Sequence, residues 1–529
     1  MVASAEGEGF YPRRPVAHRM VGTAGVAPRD AVRDLDAIER RLAQLDRRIG
    51  LAEWALYTGR GNEGASVRWQ TGRARFLRAR GPARVVARLS GGLGAPLLER
   101  RVELLRRAIL DAHVEQAPEI VRTRLRLQAR IVRFRPLWHG RRVGRAEVYE
   151  ALRSSPDRGE RERAYYSEES LLHSLEAPLR HLLGVRNDLA RSAGFSNFAA
   201  VRLSFEGVPA GRLRAIVREV VRGVSRAAHA LREEETERTG DPAWAPWDLR
   251  YALEQRAPLP PGPFPGRRMV ATVRRALAAW GVPPRRRAFR IVQRDLPFGG
   301  LTFAVEVPRD VRILVHPKGG WEYYMVLFHE YGHAVHFASV DQPTHLLRTT
   351  DAGYSGFAEG IAGVFERIAE DPNWLGTVKG LDAGVVGPFS RARAHAAWLE
   401  AAGTALGIET ELRLYERPDS DPTPHVRALA RRWFGYDAYR PRSWANPFFV
   451  THPVYVQSYL LSQLFRSQVA EAMERATAGP FWPNPRAGPW LTEAFLRPGA
   501  RHDWTDRLRD VTGAPLSGAA FARAAAAAP

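Results

Sequence analysis

Trp321-Glu-Tyr-Tyr-Met325-Val-Leu-Phe328-His329-Glu330-Tyr331-Gly332-His333-Ala334-Val335-His336 is the stretch on which the reading of this 529-residue chain turns. Trp321, Tyr324, Met325, Phe328 and Val335 recur at helical spacing, which predicts a helix with an apolar face. His329 and His333 are four apart and lie one above the other on that helix. Two imidazoles so placed can hold one zinc ion, and Glu330 can reach a water beside it. With 15 histidines in the chain, a chance His-Glu-x-x-His is expected only about 0.02 times. Gly332 lowers helix propensity, and its small size leaves room for a neighbour or a substrate. His336 would strain a third contact to a tetrahedral ion, so it is assigned either a structural role or a supporting one beside the ligands.

A third ligand is therefore sought downstream. A branch using His-x-x-Gly-x-x-His is excluded, because positions 336 and 339 are His336 and Ser339. Phe357, Ile361, Val364 and Ile368 step by four, three and four, which marks another helix. Glu359 and Glu366 are seven apart on it and share a face. Glu359 is assigned as the ligand and Glu366 as the acceptor that orients a ligating histidine. Gly360 and Gly363 are costly inside a helix, and close approach of another helix or of substrate accounts for them.

Upstream the period changes. Leu301–Val307 and Val311–Val315 are short β-branched runs joined by Pro308-Arg-Asp310, a hairpin signal. Further back, Val32, Leu35, Ile38, Leu42, Leu45, Ile49 and Ala52 form one helical stripe from Arg29 onward. More helices are predicted at about 96–132, 144–154, 159–193, 209–238 and 267–280, with Gly194 as a C-terminal glycine. Residues 257–266, rich in proline and glycine, read as a surface linker. Helical pattern then dominates from about 321 to 512. Residues 1–28 read as a tail, and the Ala-rich end from Ala519 as frayed. In Thr451-His452-Pro453-Val454-Tyr455, Thr451 reads as an N-cap with proline in the first turn. His452, Tyr455 and Tyr459 would then share a helix face, continued by Ser462 and Gln463.

The composition is that of an ordinary globular protein, 45% hydrophobic and 26% charged. It has no cysteine, which excludes disulfides, a thiol nucleophile and Cys-ligated metal. The net charge is +22, but only Lys318 and Lys379 are lysines, and the arginines are spread along the chain. That pattern suits GC-rich codon bias and argues against nucleic-acid binding as the main function. No signal-peptide core and no membrane-length apolar run appears, so a cytoplasmic location and no membrane partner are expected.

His329-Glu-Tyr-Gly-His333-Ala-Val-His336, with Gly356-Phe-Ala-Glu359 through Glu366, resembles the thimet oligopeptidase and oligoendopeptidase F family of zinc peptidases. The angiotensin-converting-enzyme and Taq-type carboxypeptidase families are similar. Asp310-Val-Arg-Ile313, Pro246-Trp-Asp-Leu249, Arg186-Asn-Asp-Leu-Ala190 and Gly194-Phe extend the resemblance over about 160–470. It implies a mainly α, two-lobed helical body with a deep substrate channel and one small β-sheet beside the active-site helix. The lobes would be 29–256 and 267–515, with 257–266 between them and 516–529 as an Ala-rich tail. It also implies one zinc ion held by His329, His333 and Glu359, with His452 and a tyrosine stabilising the oxyanion. Tyr455 is the expected donor, and Tyr459 is expected to hold the substrate backbone. The expected reaction is hydrolysis of short oligopeptides, with Glu330 as base and the hairpin edge receiving an extended peptide. The alternatives are a zinc carboxypeptidase or dipeptidyl carboxypeptidase, and, from another class, a basic nucleic-acid-binding protein with a structural metal.

Overall fold

The computed structural model describes residues 28–91, 94–282, 289–296, 298–349, 355–436 and 439–526. The expected tail, save its last residue Pro28, lies outside these, as does part of the loop between the two site helices. The chain is mainly α, with one three-stranded sheet and one two-residue ribbon among the described residues. One contiguous apolar core runs from Leu110 to Phe521 and draws on residues from both sides of the proline-rich segment.

The expected hairpin is present. Strand β1 (Phe289–Gln293) precedes it, and β2 (Gly300–Glu306) and β3 (Asp310–Val315) form it, with β3 in the centre. β2 and β3 pair antiparallel from Gly300↔Val315 to Glu306↔Asp310. β1 runs parallel to β3 and was not foreseen. A parallel partner is joined by a crossover, so it leaves no hairpin signal in the local sequence. The stripe from Arg29 becomes a long N-terminal helix (Arg29–Tyr57) packed on one face of this sheet. Trp54 meets Phe303 edge-on at 5.3 Å, and a Cβ at Gly50 would come within 3.0 Å of the Val305 backbone.

Three helices build the functional centre. They are the motif helix (Trp321–Ser339), the carboxylate helix (Ser355–Glu366) and the tyrosine helix (Val456–Thr477). Their glycines mark where they touch. A Cβ at Gly332 would lie 2.7 Å from Ala362 Cα, and one at Gly360 would lie 2.6 Å from the Phe465 ring. The space at Gly332 and Gly360 is thus filled by neighbouring helices.

Several local expectations are corrected. The segment 96–132 divides at Pro118 into Pro96–Val114 and Pro118–Arg133, because proline cannot continue the helical hydrogen-bond ladder. The segment 159–193 divides into Arg158–Tyr166 and Glu169–Ser192, the second ending before Gly194 at φ +87°. Thr451 is not an N-cap. It ends a short helix, Pro447–Thr451, and a new one starts only at Val456 after Val454 takes a left-handed φ of +50°. The proline-rich segment is not a loose linker. Phe264 is fully buried between Tyr324 and Trp374, and its carbonyl accepts the Gly320 N–H. The Ala-rich end is helical over Ala519–Ala526, where high alanine propensity is joined by Phe521 packing on Trp398 at 4.8 Å.

The contact at Gly332 gives a direct test. Gly332→Ala gains helix propensity but forces a methyl into the Ala362 backbone. We expect net destabilisation of about 1–3 kcal/mol by chemical denaturation, the reverse of the usual effect of Gly→Ala in a helix. Unchanged or higher stability would show that the two helices are free to move apart.

Candidate metal centre

The motif helix places His329 and His333 one turn apart, with their Nε2 atoms 3.1 Å from each other. Glu359 Oε2, from the carboxylate helix, lies 3.4 Å from His329 Nε2. Ligand atoms of the three residues all fall within 4.8 Å of one another. Donors placed about 2.0–2.1 Å from a tetrahedral zinc stand about 3.3–3.4 Å apart, close to the two separations made by His329. The donor chemistry fits as well. His329 Nδ1 lies 3.1 Å from Glu366 Oε2, so its proton belongs on Nδ1 and the Nε2 lone pair faces the centre.

The electrostatics favour a cation at this point. Burial works against charge on His329, but its contacts with Glu359 and Glu366 outweigh that and raise it well above its usual value, so without an ion Nε2 carries a second proton, which a metal would have to displace. Burial and the neighbouring His329 push His333 down to about 4, which keeps it neutral. Burial alone would raise Glu359, but His329, His333 and the Tyr455 hydroxyl hold it ionised, at about 2. Glu366 is held low in the same way by His329 and by Arg466, whose nearest nitrogen is 3.6 Å away.

Glu330 points to the sheet side. The Thr302 hydroxyl of β2 lies 2.6 Å from Glu330 Oε2 and 2.9 Å from the Glu330 carbonyl. A side chain at Gly300 would come within 2.9 Å of Glu330 Cγ, so glycine there makes room for the carboxylate. Burial pushes the Glu330 carboxyl above its usual value, against the pull of His329.

The aromatic group is brought together in an order the spacing did not foresee. Tyr455 precedes the tyrosine helix, and its hydroxyl donates to Glu359 Oε1 at 2.8 Å. Tyr459 stands 5.6 Å from the Tyr455 ring and is exposed; its hydroxyl has no hydrogen-bond partner among the described residues. His452 stacks on Phe448 at 4.8 Å and bonds Thr451 through Nδ1 at 2.8 Å. His336 is fully buried against Phe337 and Phe357, with neither ring nitrogen hydrogen-bonded, so it packs and does not orient a ligand.

Five supporting residues were not assigned roles from the sequence. Thr302 and Gly300 hold Glu330. Arg186 is fully buried, pairs with Glu115 at 3.1 Å, and donates to the Phe449 and Val450 carbonyls at 3.2 and 3.3 Å. It thus ties off the short helix before His452. Glu411 Oε1 accepts the Val454 N–H at 2.7 Å and fixes the left-handed turn before Tyr455. Only the Arg186-Asn-Asp stretch had any sequence signal, as part of the family resemblance. Glu206 accepts from Gly356 N at 2.9 Å and Ser355 Oγ at 3.0 Å, seating the start of the carboxylate helix.

Comparison with protein-family models and with curated proteins finds no match to the chain. No helix among the described residues is long and apolar enough to cross a membrane.

Burial pushes Glu411 from 4.5 up to about 8. Between those values the folded chain keeps a proton that the unfolded chain has lost, so this group makes stability fall as pH rises. Glu411→Gln keeps an oxygen for Val454 and has no proton to lose. Melting temperatures across pH should therefore show the variant close to the parent near pH 4.5 and increasingly more stable towards pH 8. A pH-independent difference would mean that Glu411 is charged in the folded chain.

Proposed function

We propose that the chain is a zinc-dependent peptidase of the kind it resembles, hydrolysing peptide bonds in short oligopeptides. The observation that carries this reading is the convergence of His329, His333 and Glu359 beside a carboxylate that none of them uses. His329, His333 and Glu359 would hold the ion, and the ion would supply Lewis-acid activation of water and of the scissile carbonyl.

The other steps belong to the chain. Thr302 engages one oxygen of Glu330 and leaves the other for the attacking water. Glu330 takes the proton as water adds to the carbonyl carbon, and delivers it to the amine nitrogen as the C–N bond breaks. Glu366 orients His329, and Tyr455 orients Glu359. The free Tyr459 hydroxyl meets the developing oxyanion, and His452 stands by the Tyr455 ring, 5.9 Å away. β2 lies at the sheet edge next to Glu330, which suits strand addition by an extended peptide. A structural zinc would be closed by four protein ligands, whereas three residues make up this group among the described residues.

Purified protein should carry about one zinc per chain and lose peptide cleavage to a chelator, with recovery on adding zinc. Glu330→Gln should lower kcat by about 10²–10⁴ with zinc still bound. Cleavage of a mixed peptide library, followed by mass spectrometry with a zinc assay on the same sample, checks both. Unchanged turnover in Glu330→Gln would remove it as the base.

The two tyrosines should separate. Tyr455→Phe frees Glu359 and should weaken zinc affinity by about 10–100-fold. Tyr459→Phe should leave zinc bound and lower kcat by about 10²–10³ with little change in KM. Zinc titrations and kinetics of the two single variants decide; the reverse pattern would exchange the roles.

A further inference from the structure

A recess of about 630 Å³ lies between helix Pro118–Arg133, helix Glu169–Ser192 and the ribbon strand Arg141–Arg142. None of the candidate metal-centre residues lines it. Five arginines do: Arg126, Arg130, Arg133, Arg135 and Arg142.

Elsewhere in this chain arginines are often neutralised, as Arg101 is by Asp36 and Glu39, or Arg214 by Glu409 and Glu416. Among the described residues, none of the five recess arginines has an ion-pair partner. On the neighbouring helix, Glu169 and Glu176 are both engaged by Arg442. Three of the five are instead held by neutral carbonyls. Arg130 donates to Ser174 O at 2.6 Å, Arg135 to Val132 O at 2.8 Å, and Arg142 to Arg135 O at 2.9 Å. Such anchoring fixes a guanidinium without cancelling its charge. It also leaves several of its five N–H donors unused. The helix end at Arg133 contributes only about half a negative charge against five positive ones.

We propose that this recess binds a compact polyphosphate, a chain of three or more phosphates, free or as the tail of a nucleotide. Arginine forks match phosphate oxygens two at a time, and three or four clustered negative charges match what the recess leaves unpaired. A single phosphate would engage only part of it. A nucleic-acid backbone spreads its charges along an extended track, whereas these five exposed arginines gather on one shallow, open patch.

The test is calorimetric titration of the full chain with inorganic tripolyphosphate, ATP, adenosine and inorganic phosphate, with bound zinc measured in parallel. Tripolyphosphate and ATP should bind with similar affinity and adenosine should not bind. If only ATP binds, the base is recognised and the proposal fails. Arg126→Gln/Arg133→Gln removes two side chains that make no hydrogen bond among the described residues, so the fold should be untouched. It should weaken tripolyphosphate binding by about 10-fold or more. Arg33→Gln/Arg40→Gln, with the same charge change on the N-terminal helix, should stay within about twofold of the parent. Equal losses in both double variants would reduce the effect to net charge. Unchanged binding in the recess variant would place it elsewhere, including chelation of zinc. A short DNA duplex that binds more tightly than tripolyphosphate through Arg126 and Arg133 would also overturn the proposal.

Discussion

At Gly332 the motif helix has no side chain, and the backbone of Ala362 stands where one would be. That contact sets the distance between two helices that otherwise share nothing in sequence. His329 is on one side of it, and Glu359 and Glu366 are on the other, 3.4 and 3.1 Å from the His329 ring nitrogens. Metal coordination tolerates about 0.2 Å in each ligand distance. A helix pair spaced by side chains would vary by more than that with each rotamer. A backbone contact removes that freedom. The zinc reading thus depends on packing before it depends on chemistry.

The third wall is positioned by a different force. The segment from Phe449 to Tyr455 is short, broken and partly buried, so its backbone groups need partners that no regular ladder supplies. Arg186 and Glu411 supply them from helices far away in sequence. Burying such groups is expensive, and a well-packed apolar pair would often be as stable. What the polar solution adds is direction. It holds Val454 in a left-handed turn and aims the Tyr455 hydroxyl at Glu359.

These two devices explain what was legible in the sequence. The motif helix, the carboxylate helix and the hairpin are local patterns, and their residues can be read at spacings of two, three, four and seven. Gly332 and Gly360 could be flagged as contact points, because a glycine inside a strong helix must have a reason. Their partners could not, since Ala362 and Phe465 look like any core residue. Thr302 is 28 residues from Glu330, and nothing in a strand pattern names the carboxylate it meets. The Tyr455 register was misread for a physical cause. Pro453 after Thr451 has the form of a helix start, but the chain turns at Val454 first, and only the buried Glu411 makes that turn affordable.

The charge of the chain carries a related lesson. A net +22 suggests a surface made for polyanions, yet the centre described above is ringed by carboxylates. Glu330, Glu359 and Glu366 surround two imidazoles, so the local field opposes the global one. Surface arginines are weak reporters of function, because solvent and salt screen them within about 8–10 Å. What counts is whether a charge is matched by its own neighbours. Around the His329–His333–Glu359 group the acidic charge is offset by His329 itself and, at Glu366, by Arg466 and Arg393. In the arginine recess the charges have no such offset among the described residues. Both places are visible only once the fold has sorted paired charges from unpaired ones, which total composition cannot do.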